Sequence, residues 1–310
     1  MDLSAINPVL LLASLVAAAT PILLAAIGEL VVERAGVLNL GVEGMMITGA
    51  ICGFVFGVHM DSALWGFVGA AAGGAALALL FGVWTQLLLS NQVATGLALT
   101  LVGLGLSSLL GQGYQGIRAP AMPSMDIPLL SDIPWLGPIL FSQDAVVYLG
   151  ILLCFAVWAF LKYSHAGLIL RAVGENHDAA HALGYKVIRI RMAAIVFGGA
   201  CAGIGGAYLS IVRVPQWTDG VTDGAGWIAL AIVVFASWRP GRLLAGAYLF
   251  GGVGALQLNL QAARVPIPAE LLSMTPYLVT IASLVILSAG RGGAGLAAPG
   301  SLGRIFHASR

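Results

Sequence analysis

The sequence predicts an all-α protein, a bundle of about nine helices that cross a membrane. Of its 310 residues, 59% are hydrophobic and only 9% are charged, whereas a soluble globular domain carries about 25% charged residues. Glycines repeat at a spacing of four, as in Gly49 with Gly53 and Gly199 with Gly203, and this spacing indicates close packing of membrane helices. The composition excludes a soluble enzyme, and the net charge of +1 gives no sign of a nucleic-acid partner.

Nine uncharged stretches are candidates for these helices, because a helix needs about 20 apolar residues to cross a bilayer. They cover approximately residues 7–28, 38–58, 63–89, 92–111, 145–161, 192–212, 225–238, 243–260 and 271–289. The stretch 28–37 is open to two interpretations, a short cytoplasmic connection or part of a re-entrant hairpin that adds a tenth element. We therefore expect eight to ten spans in a single transmembrane domain of residues 1–310.

The distribution of Lys and Arg predicts the orientation, because these residues accumulate on the cytoplasmic side. With the loop 162–191 in the cytoplasm, eleven of the 14 basic residues lie inside, and only Arg118, Arg213 and Arg264 lie outside. We expect the loop 112–143 outside and the tail 291–310 inside. Nine spans place the N-terminus outside, and a tenth element would place it inside.

The cytoplasmic loop contains a short segment, residues 174–184, in which both ends of a helix are marked. Asn176 is a good N-cap, and Gly184 supplies the left-handed residue that ends the helix. The segment predicts an amphipathic helix of about two turns, for which the alternative is an ordinary interfacial turn. His177 and His181 lie four residues apart, but two ligands without a third indicate a solvated face rather than a metal site.

Four stretches occur along the chain in a fixed order. They are residues 29–50 (ELVVERAGVLNLGVEGMMITGA), 91–99 (NQVATGLAL), 174–184 (GENHDAAHALG) and 220–231 (GVTDGAGWIALA) followed by 238–240 (WRP). Together they resemble permease subunits of bacterial ABC importers for nucleosides and simple sugars. The resemblance covers most of the chain and implies the fold of a type II ABC importer permease, with a cytoplasmic coupling helix in 174–184. Ala225 and Gln92 depart from the family's pattern, and both positions are candidates for solute selection.

The resemblance also implies partners for this chain. A second, dissimilar permease subunit would complete the pathway, and a cytoplasmic ABC ATPase subunit would bind ATP and Mg²⁺. An extracytoplasmic binding protein would deliver the solute to the importer in the bacterial inner membrane. The residues implied in coupling to the ATPase are Gly174, Glu175, Asn176, Ala179, Ala180, Leu183 and Gly184. The chain itself is not expected to be an enzyme or to hold a cofactor or metal. Its two lysines, Lys162 and Lys186, do not follow a glycine, so the sequence has no Gly-Lys-[Ser/Thr] phosphate loop.

The sequence of residues 29–50 favours nucleosides as the solute, with simple sugars or riboflavin as alternatives. An ion-coupled secondary transporter is the alternative from another class. Such a transporter needs acidic or His residues along its pathway, and Glu43 is the only acidic residue that we place deep in a predicted span. A membrane-embedded enzyme would need clustered His, Asp or Glu within spans, which the sequence does not show.

Polar residues within spans are costly in lipid and are therefore candidates for the pathway. Together with one aromatic residue at a Gly-rich break, the candidates are Asn39, Glu43, Asn91, Gln92, Thr95, Thr222 and Trp227. Asn39 precedes Glu43 by four positions, so we expect both on one helical face, where Glu43 either lines the pathway or bonds a neighbouring backbone.

The other candidates also have two interpretations each. The amides of Asn91 and Gln92 suit sugar hydroxyls or a base edge, although Asn91 equally suits a helix cap. Thr222 is a candidate cap of a broken helix, and Trp227 suits either stacking on a nucleobase or anchoring at the membrane interface.

Overall fold

The structure, a computed structural model, describes residues 8–128, 130–262 and 298–307, with isolated positions between 268 and 285. The helices in this part of the chain are α1 (Pro8–Arg34), α2 (Val42–His59), α3 (Ala63–Gly82), α4 (Gln92–Gly111), α5 (Ala145–Tyr163), α6 (His165–Glu175), α7 (His177–Ala182), α8 (Val187–Ala207), α9 (Ala225–Phe235) and α10 (Pro240–Ala262). Two short strands, β1 (Ser124–Asp126) and β2 (Ser142–Asp144), pair antiparallel. Single π-helical turns extend α3 at Val83–Leu87 and α8 at Tyr208–Arg213, a π-helical turn at Gly137–Phe141 precedes β2, and a 3-10 turn at Gln112–Tyr114 extends α4.

Within the described residues, seven helices with their extensions are long and apolar enough to cross a membrane, namely α1 to α5, α8 and α10. They confirm seven of the predicted spans. The predicted span 225–238 is instead the short helix α9. Its 11 residues extend about 16 Å, which is too short for a hydrocarbon core of about 30 Å. The predicted span 271–289 lies outside the continuously described residues.

Helix α1 continues to Arg34, beyond the predicted end of the first span at residue 28. Glu29 and Glu33 are each 1% exposed, so the expectation that Glu43 is the only acidic residue deep in a span is wrong. Their burial is possible because each carboxylate has a hydrogen-bond donor from elsewhere in the chain, Asn39 and Trp238 respectively.

Residues 35–41, which we call the 35–41 segment, connect α1 to α2 as irregular backbone. Gly36 turns the chain with a φ of +84°, and Val37 and Asn39 are fully buried. Helix α2 therefore begins at Val42, and the expectation that Asn39 and Glu43 share one helical face is wrong.

The 35–41 segment lies inside the bundle. A Cβ added at Gly44, close to the start of α2, would lie 2.6 Å from the Cα of Thr100 in the middle part of α4. Irregular backbone at this depth is tolerated because protein surrounds it. Within the described residues, the stretch 28–37 is the last part of α1 followed by buried irregular backbone, and it contains no tenth helix.

Glycines bring α2, α3 and α8 together at the centre of the bundle. A Cβ on Gly49 of α2 would overlap the Cα of Gly203 of α8, and a Cβ on Gly74 of α3 would overlap the carbonyl oxygen of Gly199. The close helix packing that the glycine spacing predicts is confirmed at these positions.

The two ends of the bundle have different structures. At one end, β1 and β2 follow the end of α4, and the backbone N–H of Ala119 donates to the carbonyl of Pro215, just after α8. At the other end, α6, α7, the start of α8 and residues 298–307 pack together around buried Val173, Val187 and Phe306. This second end contains the predicted coupling helix.

Candidate coupling helix and pathway residues

Helix α7 has the capped form that the sequence predicts. The Oδ1 atom of Asn176 accepts a hydrogen bond from the backbone N–H of Ala179 at 2.9 Å, and Gly184 has a φ of +88° just after the helix. Ala180 is buried against the bundle, whereas Leu183 is 77% exposed. The helix and its ends are confirmed, and its role in coupling stays a prediction.

The predicted coupling residues divide into two groups. A Cβ on Gly174 would overlap the carbonyl oxygen of Arg34, and Oε2 of Glu175 accepts from the backbone N–H of Gly300 at 3.3 Å. Gly174 and Ala180 are buried, so they hold the loop in place. The residues that are exposed on this surface are Glu175, Asn176, Ala179, Leu183 and Gly184.

Arg191, in the second turn of α8, joins three parts of the chain and is fully buried. Its Nε donates to the carbonyl of Ala35 at 3.2 Å, and a terminal nitrogen donates to the carbonyl of Arg304 at 3.2 Å. The other terminal nitrogen lies 3.0 Å from Nδ1 of His177 in α7. Because Ala35 follows the last turn of α1, the guanidinium also stabilises the negative end of that helix dipole.

Sequence reasoning missed this role of Arg191, which it counted only as one more cytoplasmic charge. The signal that could have found it is a charged residue within an apolar helix, because such a residue needs partners inside the protein. The Arg191 cluster, as we call Arg191, Ala35, His177 and Arg304, directly connects the predicted coupling helix to the 35–41 segment.

Residues 298–307 cover the inner side of α7. The Oγ of Ser301 accepts from the backbone N–H of His177 at 3.1 Å, and the ring of Phe306 lies 5.4 Å from that of His177 and 5.2 Å from that of His181. His177 is therefore only 6% exposed, and the expectation of a solvated face is wrong for this residue.

The environment of His177 disfavours its protonated form. Burial lowers its pKa below the usual 6.5, and the positive charge of Arg191 lowers it further, while Asp178 opposes the shift. A neutral His177 can accept a hydrogen bond from the N–H of Arg191 at Nδ1. In the described part of the chain there is no group of three or more His, Cys, Asp or Glu residues that could hold a metal.

Glu43 receives three hydrogen bonds at the start of α9. Its Oε1 accepts from the hydroxyl of Thr222 at 2.5 Å and from the N–H of Gly224 at 3.1 Å, and its Oε2 accepts from the N–H of Gly226 at 2.7 Å. The carboxylate thus satisfies free donors at the positive end of a helix. The structure brings two predicted pathway residues, Glu43 and Thr222, into direct contact.

The opposite end of α9 is held by α1. Trp238 Nε1 donates to Oε2 of Glu33 at 2.5 Å, and the guanidinium of Arg34 donates twice to the carbonyl of Trp238, at 2.9 and 3.1 Å. Sequence reasoning missed Glu33 because it ended the first span too early. Side chains from α1 and α2 therefore hold both ends of this short helix.

Two of the other predicted pathway residues hold the 35–41 segment. The side-chain amide of Asn39 donates to Oε2 of Glu29 at 3.1 Å, and the Oε1 of Gln92 accepts from the N–H of Leu38 at 2.8 Å. Both side chains are buried. Their partners are thus the chain's own groups on either side of the break between α1 and α2.

The last three candidates are Asn91 and Thr95, at the start of α4, and Trp227, which follows the Glu43 contacts on α9. Asn91 caps α4 by accepting from the N–H of Ala94 at 2.9 Å, and Thr95 bonds to the hydroxyl of Ser90 at 2.8 Å. Trp227 is 36% exposed on α9, one residue beyond the glycine that contacts Glu43. Of the aromatic and amide candidates, Trp227 and Asn91 are the exposed ones.

Seven helices long and apolar enough to cross a membrane, within the described residues, indicate a multi-pass membrane protein. Residues 11–284 match the family described as the branched-chain amino acid transport system / permease component. The chain belongs to this family and is an ABC transporter permease, not itself an enzyme.

Several proteins similar to this chain have been described. It is 42% identical to TsgC13 of Haloferax volcanii, described as a glucose ABC transporter permease protein, over 88% of this chain and 90% of that protein. It is 33% identical to the guanosine ABC transporter permease protein NupQ of Bacillus subtilis, over 92% of this chain and 93% of NupQ. A second guanosine ABC transporter permease protein of that bacterium, NupP, is 22% identical over 84% of this chain and 77% of NupP.

A solved structure supports the same fold. An inward-facing conformation of a metal-chelate type ABC transporter superposes with a TM-score of 0.53 and 18% identity, over 93% of this chain and 91% of that chain. At this identity the likeness concerns the fold alone.

Proposed function

We propose that this chain and a second, dissimilar permease subunit form the membrane pathway of an ABC importer for nucleosides in a bacterial inner membrane. The observation that carries this proposal is the Arg191 cluster. It connects a capped helix on the surface of the bundle to irregular backbone inside it. A motion of the surface helix can therefore reach the interior without passing through a flexible loop.

The exposed side of α7 is the proposed docking surface for a separate ATPase subunit, which binds ATP and Mg²⁺. Because α7 is capped at both ends, it moves as a rigid body when its docking partner moves. His177 transmits the displacement to Arg191, which is bonded to the end of α1 at Ala35. The 35–41 segment then changes the position of α2 and of Glu43, which holds α9.

The proposed solute contact lies around the start of α9, where Trp227 is exposed beside the Glu43 network. An exposed indole suits a nucleobase, because stacking contributes about 1–3 kcal/mol per base. NupQ, named for guanosine, supports a nucleoside, and an extracytoplasmic binding protein would deliver it. The pair NupQ and NupP supports two dissimilar permeases in one importer.

Glucose or another simple sugar is the second candidate solute, favoured by the 42% identity to TsgC13. Both candidates carry a hydroxylated ring, and only the nucleoside adds an aromatic base. Replacement of Trp227 by Leu should therefore weaken nucleoside uptake and leave sugar uptake unchanged, whereas Trp227→Phe should keep both.

Uptake measurements test the proposed function. The chain is expressed with an ATPase, a second permease and a binding protein taken from genes that neighbour its own in the genome, if such genes occur there, in cells without their own nucleoside uptake. We expect vanadate-sensitive uptake of labelled guanosine, which unlabelled adenosine reduces and glucose does not. Vanadate-resistant uptake that is abolished by a protonophore would contradict an ABC importer, and competition by glucose alone would contradict the nucleoside.

The membrane orientation has its own test. Single cysteines at Ser124 and at Asp178 should react with an impermeant maleimide from outside and from the cytoplasm, respectively. Asp178 is chosen over the neighbouring His177 because its side chain is 78% exposed. Reaction of both from the same side would contradict the orientation.

A further inference from the structure

A concave pocket at the end of the bundle that contains α6 and α7 has a volume of about 460 Å³ and is lined by residues from α1, α5, α6 and the α9–α10 connection. Five of its lining residues are basic: Arg34, Lys162, Arg171, Arg239 and Arg242. The other lining residues include Trp158 and Trp238, and none is acidic. No residue of α7 or of the Glu43 network lines the pocket, although Arg34 and Trp238 in its lining also hold the end of α9.

Within the described residues, the five positive charges of this pocket exceed the negative charge near them. Among the described residues, none of the five forms an ion pair with a carboxylate. Glu175 is the strongest charge that acts on Arg34 and attracts it, whereas the charges of Arg171 and Arg239 both oppose that of Arg34. Converging like charges repel one another, so this excess of positive charge favours a bound anion.

Arg171 gives independent support for a missing partner. Its Nε atom is buried and has no hydrogen-bond acceptor among the described residues. A buried donor without an acceptor is uncommon and costs about 1–3 kcal/mol. A phosphate oxygen is the acceptor that guanidinium groups bind best, because it accepts charge-assisted and often bidentate bonds.

The position of the pocket indicates where the phosphate comes from. Helix α5 ends at Tyr163 and α10 begins at Pro240, so the pocket lies where two spans leave the hydrocarbon core. Trp158 is 42% exposed one turn before Lys162, whose ammonium lies 5.0 Å from the indole ring. Exposed Trp and Lys side chains at the ends of spans are typical of the headgroup level of a bilayer.

We propose that this pocket binds the phosphodiester headgroup of an anionic phospholipid of the cytoplasmic leaflet. Arg171 and Arg239 contact the phosphate from α6 and from the α9–α10 connection, and Lys162 lies at the membrane side. A lipid bound there contacts α1, α5, α6 and the α9–α10 connection at once.

Lipid retention by the purified full-length chain, with whatever subunits purify with it, tests the proposal. The protein is titrated in mixed micelles with phosphatidylglycerol or phosphatidylcholine, and bound lipid is counted by native mass spectrometry. Arg239→Gln with Arg242→Gln removes two exposed charges of the pocket. Each basic residue near a membrane contributes about 1 kcal/mol, so phosphatidylglycerol affinity should fall about thirtyfold.

The matched control is Lys186→Gln with Arg189→Gln, which removes two exposed charges at the same end of the bundle but outside the pocket. It should retain phosphatidylglycerol as the unchanged protein does, and Arg239→Lys with Arg242→Lys should retain most of it. If the double glutamine variant does not fold, Lys162→Gln replaces it, with a fall of about fivefold.

Several results would overturn the proposal. The first is that the double glutamine variant retains as much phosphatidylglycerol as the unchanged protein, and the second is that the control loses as much as the double glutamine variant. The third is saturable binding of inorganic phosphate that displaces phosphatidylglycerol, which would make the natural ligand a soluble phosphate. Loss of the ATPase subunit from the double glutamine variant with full lipid retention would instead assign the pocket to an acidic protein surface.

Discussion

Replacement of Glu43 by Gln tests whether this carboxylate acts by holding α9. Gly224 donates to one carboxylate oxygen and Gly226 to the other. A glutamine side chain has one oxygen, so it can accept only one of these two N–H groups and must point its NH₂ at the other. The amide therefore has nearly the same shape but cannot reproduce the bonding.

The expected cost follows from these contacts. One buried N–H left without an acceptor costs about 1–3 kcal/mol, and the loss of a negative charge at a helix N-terminus costs about 0.3–2 kcal/mol. We expect Glu43→Gln to destabilise the start of α9 by about 2–4 kcal/mol. Thr222→Val removes only the hydroxyl bond and should cost about 1.5–3 kcal/mol, whereas Thr222→Ser keeps the hydroxyl and serves as the control.

Thermal unfolding of the purified chain and uptake by the assembled importer measure both effects. The midpoint should fall by several degrees in Glu43→Gln and Thr222→Val, since about 1 kcal/mol shifts it by about 2–4 °C in domains of 150–250 residues. Uptake should fall in parallel for both variants, with unchanged solute preference. A Glu43→Gln protein that keeps its midpoint but changes its preference among nucleosides would refute this reasoning and make Glu43 a pathway residue.

Three further outcomes follow from single sites. The Gly184→Val variant should insert into the membrane but lose uptake and ATPase binding, because a β-branched residue resists the φ of +88°. The Gly184→Asn variant should retain both activities, since asparagine tolerates this conformation. Normal ATPase binding by the Val variant would contradict the role of the turn. The Gly226→Ala variant should have a lower unfolding midpoint, since its Cβ would lie 2.6 Å from the Cα of Glu43. The Gly105→Ala variant is the control and should keep its midpoint, since its Cβ would meet no atom within 4 Å. Equal midpoints for the two variants would contradict the close approach of Gly226 to Glu43. The lowered pKa of His177 means that the folded state prefers the neutral ring, so this contribution to stability is present above the unfolded pKa of about 6.5 and is lost as the pH falls through the folded pKa. Protection of residues 298–307 from carboxypeptidase should therefore weaken below about pH 6.5, and a pH response that persists in His177→Gln would contradict this assignment.

Local patterns predicted a large part of the fold. Seven apolar stretches agree with seven spans, because the length of an uninterrupted apolar run is sufficient to indicate a helix in lipid. The same holds for α7, whose cap at Asn176 and left-handed residue at Gly184 need only neighbouring backbone. The stretch 225–238 was assigned as a span because its composition is apolar. The helix α9 is instead short, and six of its 11 residues are buried by the rest of the protein. Apolar composition does not distinguish a helix in lipid from one inside a protein.

The candidate site was only partly predictable for a related reason. Glu43 and Thr222 were both candidates, but their direct bond could not be read from positions 179 residues apart. Glu29 and Glu33 were missed because a span was expected to end before a charged residue. A buried carboxylate becomes acceptable when a distant donor reaches it, and the donor of Glu33 is Trp238.

By itself, the sequence determined which segments are helical and apolar, where α7 begins and ends, and which family the chain resembles. These are properties of neighbouring residues and of runs along the chain. Only the tertiary structure decided that Arg191 binds Ala35, 156 residues away, and that Arg304 and His177 complete its contacts. It also decided that five basic residues from separate elements converge on one pocket. The physical reason is that a charge inside a membrane protein is stable only with partners, and packing rather than sequence separation determines which groups those partners are.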